Sequence, residues 1–60
     1  MDYDELEFEL EDIYNAIEVE KYRVGHAYSE SDIAFHMENI KKLRQDAAIV
    51  RKLMKGLMPE

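Results

Sequence analysis

Sixty residues with a formal net charge of −6, no cysteine, and histidines only at His26 and His36 leave neither a disulfide framework nor a zinc-ligand pattern. The chain is 37% charged yet 47% apolar, and because its apolar residues recur periodically it reads as packed helices and not as disorder. A chain this short buries only about 60% of the surface its unfolded form exposes, so oligomerisation or docking on a larger partner is the expected source of further stability. There is no charged n-region ahead of an apolar run and no 18-residue apolar stretch. The expectation is an intracellular protein with no signal peptide and no membrane span.

The first helix is expected over about residues 3–21, with Tyr3, Leu6, Leu10, Ile13 and Ile17 forming its stripe and Tyr14 and Ala16 beside it. Asp2 or Asp4 opens it, and acids crowd its first turns, where the helix dipole favours negative charge. The segment Leu6-Glu7-Phe8-Glu9-Leu10-Glu11 alternates as a half-buried strand would. Helix is still expected, since Leu and Glu are strong helix formers and the seam continues for two more turns. In a helix Phe8 points away from the seam, and Val19, eleven residues on, shares its outer face. Both are candidate contact residues on an acidic surface.

Residues 22–30 break the pattern. Tyr22 and Val24 alternate before Gly25 and Tyr28 follows, which fits two very short strands around a Gly25-His26 turn or a plain loop between helices. In either form Tyr22, Val24 and Tyr28 are expected to cap the open end of the helix pair.

The second helix is expected over residues 31–57. Its heptad seam is Ile33, His36, Ile40, Leu43, Ala47, Val50, Met54 and Leu57, with Phe35 and Met37 able to broaden the core near the turn. Ser29 with Asp32 three residues later makes a box-like start, and Gly56 and Pro59 mark the far end. Such a helix is about 40 Å long, whereas a partner of 19 residues spans roughly 28 Å and runs out near Ala47 to Val50. Ile49, Leu53, Met54, Leu57 and Met58, mixed with Arg51, Lys52 and Lys55, are then left without cover. That makes this end a binding site or a fraying end, and methionine and leucine on a basic helix suit a partner's groove.

Charge is divided between the halves. Residues 1–30 carry ten acids against Lys21 and Arg23, whereas residues 31–60 carry six bases against four acids. Two readings stay open: attraction between two antiparallel helices, or a head-to-tail contact between copies that sets acidic against basic surfaces. Catalysis finds no support, because the carboxylates fall on a solvated face, and no phosphate loop, nucleophile elbow or metal box is present. His36 on the seam reads as a packed, hydrogen-bonded residue and His26 as an exposed one. No cofactor or metal is expected. Specific nucleic-acid binding is disfavoured by the net charge, while the acidic first helix fits a protein that imitates DNA and occupies a basic site on another protein.

The order of elements adds a resemblance. An acidic helix, Tyr22-x-Val24-Gly25, a short polar stretch, and Ser29-x-Ser31-Asp32-Ile33 opening a long helix are similar to the small head-tail joining proteins of tailed phages, the lambda W-type head-completion family. The similarity spans about Leu6 to Leu53. His26 and Ala27 stand where that family has a second glycine and a basic residue, and the turn is one residue shorter. The resemblance implies a structural adaptor that assembles as a ring of copies on the portal vertex and offers a docking surface to the tail. Its place would be the head-tail interface of the virion, after synthesis in the host cytoplasm. The expected architecture is one mostly α domain, an antiparallel two-helix hairpin with a short β-hairpin-like turn, its second helix longer and overhanging. A small acidic inhibitor or regulator of a host protein is the alternative function.

Overall fold

A computed structural model describes residues 2–57 as two helices, α1 (Tyr3–Gly25) and α2 (Glu30–Leu57), packed side by side as an antiparallel hairpin. The body is a rod with extents of 48 × 16 × 14 Å, its long dimension set mainly by α2, which is about 42 Å long. The alternating segment Leu6 to Glu11 is helical throughout, as helix propensity and the longer-range seam require.

Both helices start on side-chain caps. Asp2 is the N-cap of α1, its carboxylate accepting from the Glu5 backbone N–H at 2.9 Å, and Asp4 and Glu5 place negative charge in the first turn. At α2 the Ser29 hydroxyl accepts from the Asp32 N–H at 3.1 Å, while the Ser29 carbonyl accepts from the Ile33 N–H at 3.1 Å. The start anticipated from Ser29 and Asp32 is therefore present one residue earlier than expected, at Glu30.

The connection differs from expectation. There is no strand among the described residues, and Tyr22, Arg23, Val24 and Gly25 extend α1 by a further turn. Gly25 sits in helical backbone with no positive φ, so nothing there makes use of its freedom to turn. What stops the helix is the residue after it. The His26 N–H donates to the Arg23 carbonyl at 3.2 Å, the Ala27 N–H donates to the Val24 carbonyl at 3.3 Å, and the His26 ring Nδ1 donates to the Tyr22 carbonyl at 2.9 Å, so the orphan carbonyls of the last turn are satisfied locally. The His26 ring also stacks on Tyr22, with centroids 4.1 Å apart. With the chain tied up in this way, residues 26–29 suffice to reverse direction. Tyr22 and Tyr28 are exposed and cap nothing; Val24 alone of the three is half-buried.

The longer α1 also moves the core. Extending to Gly25 adds about 6 Å of helix, and the first turns of α1 therefore lie against the last turns of α2. Leu6, 1% exposed, is enclosed with Val50 and Met54, and Tyr3, Leu10 and Ile13 pack around them. The expected loss of cover from Ala47 to Val50 onward is thus corrected: Ala47, Val50 and Met54 are all buried. Toward the turn the packing thins. Ile17 and Ile40 are buried, but Ile33, Phe35 and Met37 are exposed; Phe35 and Met37 stand off the seam, and at His36 the α1 seam presents a carboxylate, Glu20, in place of an apolar side chain. No helix of the described residues is long and apolar enough to cross a membrane.

Candidate functional site

Two surfaces and one polar link distinguish this hairpin from a bare helix pair. The first surface lies on one flank of α2. Ile49, Leu53 and Leu57 follow one another at four-residue steps and therefore form a continuous row, each about half exposed, Leu53 at 49%. With Leu6, Gly56 and Lys52 they line a shallow groove between the start of α1 and the end of α2. A second groove continues it toward the middle of the rod, where Glu9 and Ile13 of α1 face Asp46 and Ile49 of α2. Of the residues expected at this end, Ile49, Arg51, Lys52, Leu53, Lys55 and Leu57 are exposed, as a docking surface needs. Met54 is not among them. It faces Leu6 and belongs to the core, since its heptad position turns it toward α1. Met58 lies outside the described residues.

The second surface is the acidic outer face of α1. Phe8, 70% exposed, stands in a shallow hollow with Asp4, Glu7 and Glu11, and Val19 lies further along the same helix with half its surface exposed. Phe8 and Val19 are thus exposed, as expected, but a single apolar ring among carboxylates is a local feature and not a continuous stripe. Nothing in the fold brings Phe8 and the Leu53 row onto one face.

The polar link is Glu20, 9% exposed, the only buried charged residue among those described. The His36 Nδ1 donates to Glu20 Oε2 at 2.6 Å, and the Arg23 guanidinium donates to Glu20 Oε1 at 3.0 Å, so both carboxylate oxygens are engaged. The hydrogen bond from His36 is the foremost reason that the Glu20 carboxyl is held below its ordinary value. Asn39 and the positive charge of Arg23 act in the same sense, and burial opposes them. Every buried side-chain nitrogen and oxygen among the described residues has a partner. Glu20 is the residue the sequence reading missed. The signal was present, since the α1 seam continued by threes and fours from Ile17 reaches Glu20 and then Val24, opposite the one histidine on the α2 seam.

The charges do not neutralise one another across the hairpin. Residues 3–12 of α1 carry six acids and no base, and they run alongside the last turns of α2, where Arg51, Lys52 and Lys55 stand with no acid among residues 47–57. Among the described residues the only ion pairs between Lys or Arg and a carboxylate are Lys21 with Glu18 and Arg23 with Glu20, and His36 adds its hydrogen bond to Glu20. None joins the acidic stretch to the basic one. Arg51 instead lies over the Tyr14 ring, 5.8 Å from its centroid, on the flank opposite Leu53.

No protein-family model, curated protein or solved structure matches this chain.

Proposed function

We propose that the chain is a structural adaptor, a small helical subunit that works by docking on other proteins, with no catalysis of its own. The observation that carries this reading is the row Ile49, Leu53 and Leu57. Three large aliphatic side chains at helical spacing stay half exposed beside a core of only a few residues, which is costly for an isolated hairpin and useful for one that binds. The more specific form is a head-tail connector of a tailed phage, located in the virion. It rests on the order of acidic helix, turn and long helix, and on Ser29, Asp32 and Ile33 at the start of the second. The Tyr22-x-Val24-Gly25 part of that resemblance is helix here and lends it no turn geometry. Native mass spectrometry of the purified chain, alone and mixed with a phage portal ring, tests the connector. Portal-bound copies or a ring of chains are expected; a chain indifferent to portals would overturn it.

A second reading is favoured by the acidic hollow around Phe8. An exposed aromatic ring among Asp4, Glu7 and Glu11 suits a basic site on a host protein, as an inhibitor or regulator imitating DNA would use. Binding of this kind weakens steeply with salt and is competed by duplex DNA. Salt-insensitive binding would exclude it.

A further inference from the structure

We infer that the Leu53 flank is covered by a second copy of this chain, related by a two-fold axis along the hairpin's length, so that α1 of each copy lies over α2 of the other. The inference rests on reading this flank as a docking surface and names its first occupant. It is carried by the way charge is laid out beside the apolar row. On the α1 side of the flank Glu5, Glu9 and Asp12 follow at helical spacing, with Glu9 lining the groove beside Ile13 and Ile49. On the α2 side Lys52 lines the groove with Leu53 and Leu57, and Lys42 lies two turns before Ile49 on the same face. Among the described residues these charges make no ion pair, so both edges remain available to another molecule.

Two two-fold arrangements bring this flank against itself with the rods aligned. With the axis across the rod, α1 stacks on α1 and the acidic edges oppose each other, as do the basic edges. With the axis along the rod, the acidic edge of each copy meets the basic edge of the other, and every helix has antiparallel neighbours, as in an up-down four-helix bundle. Like charges placed directly opposite are unfavourable, and opposite charges fix the register, so the second arrangement is selected. The α2 side carries two acids, Asp46 beside Ile49 in the groove and Glu38 eleven residues before Ile49, and Lys42 stands one turn from each. The pair buries Ile49, Leu53 and Leu57 against Leu6 and their counterparts. A two-fold contact closes on itself, so larger assemblies grow through another face, and the hollow around Phe8 is left open for that.

Sedimentation equilibrium of the chain and four variants tests the pairing, with circular dichroism confirming that each variant stays helical. The parent chain is expected to show a two-chain species that grows with concentration. Leu53→Asp, at a half-exposed position, keeps its helix content and loses that species. Lys52→Glu and Glu9→Lys each raise the dissociation constant about tenfold or more, and the double variant carrying both restores it, because each acid again meets a base. A parent chain that stays single at every concentration, or a Leu53→Asp variant that pairs as tightly as the parent, would overturn the inference. Single reversals without effect, or a double variant no tighter than either, would overturn the arrangement along the rod. Failure of portal binding with pairing intact would count against the connector alone, whereas a single chain that still binds a portal would count against the pairing alone.

Discussion

Replacing Leu6 with alanine tests where this hairpin keeps its core. Leu6 is the one large side chain among the described residues that is almost wholly enclosed, and it touches α2 through Val50 and Met54. Truncating an enclosed leucine costs roughly 2–5 kcal/mol, the spread reflecting how far the surroundings collapse into the space left. A site near the end of two helices relaxes more readily than the centre of a large protein, which places the expected loss at about 2–3 kcal/mol. A domain of this size has a total stability of roughly 3–9 kcal/mol, so the variant should lose about a fifth of it at the least. Leu53→Ala is the matched control. With half of that side chain exposed, the same truncation removes much less buried area and should cost about 1 kcal/mol or less. Urea unfolding followed by circular dichroism, at a concentration low enough to keep chains apart, reads both. Equal losses at the two positions, or a loss below about 0.5 kcal/mol for Leu6→Ala, would refute the placement of the core.

Three further outcomes follow from the caps, the connection and the polar link. Ser29→Ala removes the acceptor for the Asp32 N–H and should cost about 1 kcal/mol, with Ser29→Asp close to the parent in thermal midpoint; equal midpoints for the alanine and parent chains would argue that the cap is idle. Gly25→Ala should stabilise by about 0.5–1 kcal/mol, because the residue is helical, has no positive φ, and an added Cβ meets nothing within 4 Å. A destabilised variant would show that Gly25 does serve as a turn. The folded-state pKa of Glu20 lies below its ordinary value of 4.5, so the stability it confers is complete above that value and is lost as pH falls through the folded pKa. Thermal midpoints recorded as acid is added should fall more steeply for the parent than for Glu20→Gln, and parallel curves would remove Glu20 from the account.

Much of this architecture was legible because it depends on local rules. Asp2 and Ser29 are caps by residue type and spacing, and the 3.5-residue seam placed Ile40, Ala47, Val50 and Met54 on the inner face of α2. The register between the helices was not legible in the same way. It depends on where α1 ends, and a glycine with alternating neighbours reads as a turn while His26, one residue later, supplies the stop through its ring and backbone. An error of four residues there left Met54 assigned to the surface, although it is core. Glu20 was missed for a related reason, since an acid at a seam position is usually the end of a seam, and only the histidine and arginine that approach it in space make its burial tolerable. The flank row survives these corrections because Ile49 and Leu53 stand off the seam whatever the register, and Leu57, the last seam position, is still about half exposed.

The claim that this flank binds a second copy is tested most directly by a dilution series of methyl-labelled protein followed by NMR. As the chain is diluted, the methyl signals of Ile49, Leu53, Leu57 and Leu6 should shift together along one binding curve, while those of Ile33 and Met37 at the turn end of the rod stay in place. Signals that do not move with concentration, or that move at the turn end and not on the flank, would contradict it.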